Sequence, residues 1–358
     1  MRSTVPTQGC SHPGTELIVS GRKDRVAQAV RHTGLLRLLE SMPRRPQLLV
    51  VNYHRIGNRD TTLFDPEIYS IDQQGLSDQI AFLKKNYDLL QPRDAVDIIL
   101  GRVKPSALSV MLTFDDGYLD NLTLAVPVLQ AHKATAAFFL VTGYLDDPDQ
   151  TTWWDETGWL VRKCIGRKLT ISQPEPWSVD VTAANVDDVI RDVLLRLRRP
   201  GTDEKLLIKE MRLCVGMNGE ALNTGTRLLM NWAEARQLQD AGMTIGLHTH
   251  TQSILAKLDE GQQRQELTTC QRLMRDRLGI EASLFAYPVG TRAAFTAATK
   301  RLVEDVGFEA AFSFYGGTNT FGEIDRFDVR RVAFPAYAPL ARTRLATALM
   351  AGTRRVWF

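Results

Sequence analysis

The chain has 358 residues, 44% of them apolar and 24% charged, and its Lys and Arg outnumber Asp and Glu only 44 to 41. That balance lacks the dense basic footprint of a nucleic-acid binder, and no apolar run approaches the ~18 residues of a membrane span. The length buries a large core without cross-links. The four cysteines (Cys10, Cys164, Cys214, Cys270) are widely spaced with no C-x-x-C pair, so neither a thiolate zinc site nor a disulfide scaffold is expected.

Residues 1–21, rich in Gly, Pro, Ser and Thr, are expected to be disordered. They show no apolar stretch followed by a small-residue cleavage site, which points to a cytoplasmic protein. Residues 22–45 read as an amphipathic basic helix, with Val26, Val30, Leu35, Leu36 and Leu39 at helical spacing between 23 and 39. Packing on the domain is the favoured role for this helix, and peripheral membrane contact is the alternative.

The main domain is expected over 46–345. A buried strand at 46–54 is followed by helices at 75–87 and 94–101. A second strand at 108–114 ends in Asp115-Asp116-Gly117, and a helix at 122–132 leads to a third strand at 136–141. Residues 146–228 break this rhythm with Trp153-Trp154-Asp155, a Pro-rich turn at 173–177 and charged helical patterns at 185–198 and 203–213. They read as a mostly helical insertion. Alternation resumes with helices at 231–241, 258–278 and 292–306 and strands at 243–246, 283–287, 310–314 and 329–334. A last helix follows, its end at 346–358 closing on Trp357-Phe358. Strands alternating with helices predict an α/β fold built on a parallel sheet or barrel.

In such folds functional groups gather at the C-terminal ends of strands. Four ends here are polar: Tyr53-His54, Asp115-Asp116-Gly117, His248-Thr249-His250 and Tyr287-Pro288-Val289-Gly290. Adjacent carboxylates after an apolar strand are costly unless neutralised, by a divalent metal on one and proton transfer at the other, or by helix capping. His248 and His250 share a side of an extended segment and so are candidates to share a metal. A satisfied core or rim histidine is the better single reading of His54. Tyr118 and Asn121 are expected to support the loop after the aspartates. Arg330-Arg331 reads either as a partner orienting Asp115 or as a surface ion pair.

Taken in order, Leu112-Thr-Phe-Asp-Asp-Gly-Tyr118, Ile245-Gly-Leu-His-Thr249 and Phe285-Ala-Tyr-Pro-Val-Gly290 resemble the motifs of polysaccharide deacetylases, carbohydrate esterase family 4, which includes nodulation-type chitooligosaccharide deacetylases. Val51-Asn-Tyr-His-Arg-Ile56, Trp153-Trp-Asp155 and Asn231-Trp-Ala-Glu234 further resemble an exopolysaccharide-associated bacterial branch. The similarity runs from about residue 48 to 337. It implies an irregular, incomplete (β/α) barrel and the hydrolysis of N-acetyl groups from N-acetylhexosamine-containing poly- or oligosaccharides. It also implies one divalent metal, commonly Zn2+, with Co2+ as a substitute. By the same resemblance Asp115 is the general base, Asp116 and His248 are metal ligands, and backbone near Tyr287 and Pro288 stabilises the oxyanion. Trp154 is a candidate sugar platform, although ordinary core packing is the favoured reading.

The chain departs from the family pattern in three places. Gln252 stands where a second histidine ligand is usual, four residues after His248. No histidine follows His250 to act as the late general acid, which leaves His54 as the replacement candidate. Ala286 occupies the usual arginine position of the third motif. The alternative to a deacetylase is therefore a homologue of the same fold that binds carbohydrate with a weak or lost metal site.

Overall fold

Alternation of side chains along each strand decides which groups enter the centre of the molecule, which is a closed ring of seven parallel strands in a computed structural model describing residues 13–41, 45–199, 202–217, 222 and 224–352. The strands are β1 (Gln47–Tyr53), β2 (Leu108–Asp116), β3 (Ala137–Leu140), β4 (Thr244–Leu247), β5 (Leu284–Ala286), β6 (Ala310–Ser313) and β7 (Val329–Val332). Each pairs with the next in the chain. The ring closes because β1 pairs along its length with β2, from Gln47 opposite Leu108 to Tyr53 opposite Phe114, and also with β7 at Val50–Arg331 and Val51–Val332. The expected (β/α) barrel is present with seven strands. Its irregularity lies at the foot of β1, where Asn319–Thr320 pairs antiparallel with Gln47 and Leu48.

Period-two patterning splits the core in two. Leu49, Val51 and Tyr53 of β1, with Val110, Leu112 and Phe114 of β2, pack outward under Leu76, Ile80 and Leu83 of helix Gln73–Asn86. Leu48, Val50, Met111, Phe139, Phe312 and Val329 form the opposite cluster, with residues of helix Pro92–Ile99. The same phase carries Asn52, Thr113, Asp115 and Arg331 inward, where they are all buried.

The insertion has a core of its own, in which Leu160, Val161, Val189, Val193, Leu207 and Met211 pack with Tyr118 from the barrel. It consists of helices Trp153–Lys163, Val186–Leu197 and Glu204–Cys214, plus an antiparallel pair, Lys168–Ile171 with Trp177–Asp180, flanking the Pro-rich turn. That hairpin was not foreseen, because its strands are only four residues each.

At the N-terminus, residues 1–12 of the segment expected to be disordered lie outside the described residues. Residues 13–21 belong to helix Pro13–His32, which corrects that expectation. The single basic helix expected over 22–45 is instead two, broken at Gly34 (φ +79°) before Leu35–Ser41. Both are tied to the C-terminal helix Leu340–Gly352, by Arg342 to Asp24 (3.0 Å) and by Arg344 to Glu40 (2.8 Å). Packing on the domain is thus the role seen. No helix among the described residues is long and apolar enough to cross a membrane, and the expected chain end at 353–358 lies outside them.

Candidate active site

The site is built where the strands end. On the inner face of β2, Asp115 receives a two-pronged ion pair from Arg331 of β7, with Nη1 2.7 Å from Oδ1 and Nη2 2.9 Å from Oδ2. Asn52 of β1 donates its amide to Asp115 Oδ2 (3.0 Å), while its Oδ1 accepts from Arg331 (2.9 Å) and Thr113 (2.7 Å). Arg331 Nε donates to Ser313 O (3.1 Å). Burial alone would push the Asp115 carboxyl up, but Arg331 and His248 outweigh it and hold the group below the usual carboxylate range. Of the Arg330-Arg331 pair, Arg331 is the orienting partner, and Arg330 is exposed.

Asp116 is treated differently. It sits at φ +74°, followed by Gly117 at φ +83°, so the chain leaves the strand in a left-handed turn that a bulkier residue would resist. Asp116 is only 2% exposed and, among the described residues, has no guanidinium or ammonium partner. Its carboxyl is pushed well above the usual range, first by burial and then by the charge of Asp115.

Opposite it stands His248, directly after β4. His248 Nδ1 lies 2.8 Å from the carbonyl of Ala286. A carbonyl only accepts, so Nδ1 carries the proton and Nε2 of the neutral ring is a lone pair. That lone pair faces Asp116 Oδ1 at 3.6 Å. Burial lowers the His248 pKa, so the cation that would join these two acceptors does not come from the imidazole. Gln252, at φ +59°, brings its side-chain amide to 3.4 Å from the same oxygen. Rotating that amide would present Oε1 instead.

Two buried acceptors this far apart, with a carboxamide on the third side, fit a divalent cation with bonds of about 2 Å. The carboxamide is the weak member of the set. Among the described residues no cluster of three or more His, Cys, Asp and Glu side chains is arranged for a metal, because Gln252 occupies the third corner. His250 does not share the site. Thr249 at φ +65° breaks the extended geometry, and His250 Nδ1 lies 3.0 Å from Thr142 Oγ1.

His54 is half-buried at the end of β1, its ring tilted against Phe314 with centroids 5.7 Å apart. Burial lowers its pKa to about 4 against the opposing pull of Asp115, while Arg331 and His248 push the same way as burial. It is neutral at pH 7 and within the field of the site's charges.

Three candidate roles are corrected. Tyr287 is buried, its N–H donates to Phe312 O (3.0 Å) and its hydroxyl to Phe327 O (3.0 Å), and its ring stacks on Phe295. Neither it nor Pro288, which has no N–H, can donate to an oxyanion. Trp154 is 5% exposed, and its indole N–H donates to Tyr118 OH (2.6 Å). It offers no face to a sugar.

Tyr118 does support the loop, donating to Asp155 Oδ2 (2.7 Å), which also accepts from Thr152 (2.9 Å). Asn121 donates to His54 O (2.7 Å).

Two residues escaped the sequence reading. Val289, 39% exposed, is a β-branched residue at φ +63°, a costly conformation that marks sites where backbone is aimed at something. The next residue, Gly290, packs on Phe314 so closely that an added Cβ would lie 2.7 Å from the Phe314 backbone nitrogen, and its carbonyl accepts from that nitrogen (2.7 Å). Glu266, on helix Glu260–Leu278, accepts from the N–H groups of His250 (2.8 Å) and Thr251 (2.9 Å) and so fixes the loop between His248 and Gln252.

The family profile described as polysaccharide deacetylase matches residues 102–163 and 215–311. YxkH of Bacillus subtilis (strain 168), named as a polysaccharide deacetylase, is 30% identical over 95 residues. The match spans 26% of this chain and about a third (32%) of that protein. The structure of IcaB from Ammonifex degensii superposes with a TM-score of 0.53 at 18% identity, covering 87% of this chain and all (100%) of that one. Streptococcus pyogenes deacetylase PplD, solved with acetate, gives 0.53 at 14% identity, covering 85% and 98%. At such identities the two structures speak for the fold.

Proposed function

We propose that this chain, which matches the polysaccharide deacetylase profile over residues 102–163 and 215–311, hydrolyses N-acetyl groups on an N-acetylhexosamine-containing poly- or oligosaccharide with the help of a divalent metal, zinc by preference. The observation that carries the reading is the division of labour between neighbouring aspartates. Asp115 is ionised and gripped by Arg331, while Asp116 faces the His248 lone pair across 3.6 Å with no cation of its own.

Asp116, His248 and Gln252 would hold the metal, which when bound supplies Lewis acidity toward an amide carbonyl and a water. Asp115, kept in its basic form by Arg331, takes a proton from the water that attacks the acetamide carbon. The strained Val289 N–H is the candidate donor to the oxyanion, in place of the Tyr287–Pro288 backbone. As the C–N bond breaks, the leaving nitrogen takes up a proton, giving a free amine and acetate. His54, neutral at rest and sensitive to the charge of Asp115, is the candidate to relay it. His54 is half-buried and Val289 is 39% exposed, so both are reachable from solvent at the strand ends where a glycan would dock. Relatives of the exopolysaccharide-associated branch suggest a substrate of that kind.

Gln252 favours a second reading, a homologue that binds the glycan without cutting it, since a neutral carboxamide completes the metal set poorly. One experiment separates the two. Metal content and acetate release from an N-acetylglucosamine oligomer panel are measured with added zinc or cobalt, in wild type, Asp115→Asn, His248→Ala and Gln252→His. Metal lost in His248→Ala and acetate release lost in Asp115→Asn support the hydrolase. A wild type with neither metal nor acetate release, and metal gained by Gln252→His, supports the binding protein.

A further inference from the structure

Within the insertion, two helix ends bring a pair of thiols together. Cys164 is the residue closing helix Trp153–Lys163, and Cys214 is the last residue of helix Glu204–Cys214, 50 positions later. Their sulfurs are 3.5 Å apart, with Cys164 Sγ–H directed at Cys214 Sγ and Cys214 Sγ–H at the carbonyl of Lys168 (3.4 Å). Both are free thiols, Cys164 buried and Cys214 partly exposed.

The surroundings hold the pair in register. Arg167 Nη1 donates to the carbonyl of Cys214 (3.2 Å), and Glu156 and Arg212, on the two helices that carry the cysteines, pair at 2.5 Å. Sulfurs this close need only small side-chain rotations to reach the ~2.05 Å of a bond. The wide sequence spacing that spoke against a cross-link is irrelevant once the helices are packed side by side.

We infer that Cys164 and Cys214 form a reversible disulfide that staples the insertion when the protein meets a low-molecular-weight disulfide such as oxidised glutathione. The partly exposed Cys214 reacts first. Its thiolate attacks one sulfur of the oxidant, breaking that S–S bond and releasing one glutathione thiolate, which takes up a proton. Cys164 then loses its proton, attacks the mixed disulfide at the Cys214 sulfur and displaces the second glutathione. Two protein thiols are oxidised, and one disulfide is reduced to two thiols. Burial pushes the Cys164 thiol up to about 12, which makes it a poor initial target and suits it to the second step, where the partner sulfur is already in contact.

The bond would close a long loop through the insertion and so constrain the unfolded chain strongly. The test uses the full chain, purified reduced and then incubated with oxidised glutathione. Free thiols are alkylated under denaturing conditions, and the unreduced digest is mapped by mass spectrometry. The expected result is one cross-linked peptide pair joining Cys164 to Cys214, reversed by dithiothreitol. A Tm rise of several degrees should accompany it in wild type and be absent in Cys214→Ser. Independent glutathione adducts, unmodified thiols at both positions, or cross-links through Cys10 or Cys270 instead would overturn the inference. The peptide map of wild type decides it even if the variant folds poorly.

Discussion

Arg331 and Asp115 meet in a two-pronged ion pair of 2.7 and 2.9 Å in the barrel interior, both buried and both sharing Asn52. Removing one partner strands the other charge away from water. Arg331→Met is therefore expected to cost about 3–5 kcal/mol of stability, the usual penalty for breaking a buried pair. It should also move the acidic limb of the pH–rate profile upward, since the guanidinium is what holds the Asp115 carboxyl low. Urea unfolding and a pH profile of acetate release check the two parts. An unchanged acidic limb in a folded Arg331→Met protein would separate Arg331 from the reactivity of Asp115, whereas Arg331→Lys, which keeps the charge, should shift it less.

The reason so much of this site was legible is that its residues interrupt apolar alternation. Asp115 and Asp116 end a strand of Leu, Val, Met and Phe, and His248 follows Ile245-Gly246-Leu247 in the same way. Arg331 was visible only as one of two arginines. The inward phase of Val329 and Arg331 on β7 is what selects it. Glu266 was hidden because it sits inside an ordinary polar helix, sixteen residues from His250, whose N–H it accepts. Val289 was hidden because a valine at positive φ contradicts its own propensity. Tyr287, a motif position, is core, and Trp154 follows its favoured reading as a core aromatic. The contact of Cys164 with Cys214 depends on how two helices pack, which spacing cannot reveal.

Metal affinity should respond to Gln252 in a graded way. Replacing the carboxamide with imidazole, Gln252→His, substitutes a better ligand for a poor one. Zinc affinity, measured by competition with a chromogenic chelator, is expected to tighten by roughly tenfold or more. Gln252→Ala should weaken it, and His248→Ala should abolish it. Equal affinity in all three variants would remove Gln252 and His248 from the metal set together.

Tyr118 links the Asp116–Gly117 turn to the insertion. Its hydroxyl donates to Asp155 Oδ2 and accepts from the Trp154 indole. Tyr118→Phe leaves that buried indole N–H without a partner and takes one donor from a buried carboxylate, at a cost of about 1–3 kcal/mol. The turn itself is also pinned by Met230 N–H donating to Gly117 O (3.0 Å). The loss should therefore appear chiefly in the denaturation midpoint, with kcat changed less. A midpoint equal to that of wild type would mean the hydroxyl contributes nothing net.

Asp65 gives the fold a pH dependence of its own. It is 2% exposed, caps the turn Pro66–Ile68 by accepting from Glu67 N (2.9 Å), and lies under helix Trp153–Lys163, where Gly158 packs directly on its backbone. Burial raises its pKa to about 7, with the Glu67 N–H pulling the other way and Asp155 reinforcing the rise. Its folded pKa stands above the unfolded value near 3.8, so the folded state binds the extra proton across that window. The stability it contributes is fully present below about pH 4 and is lost as pH rises through about 7. At about 1.4 kcal/mol per pH unit the loss amounts to a few kcal/mol at most. Asp65→Asn keeps an acceptor for Glu67 N and carries no charge. The variant should therefore lose less stability than wild type between pH 4 and 7 and be the more stable of the two above pH 7. Urea midpoints across that range measure it, and parallel curves for the two proteins would show that Asp65 ionises in the fold much as it does in the unfolded chain.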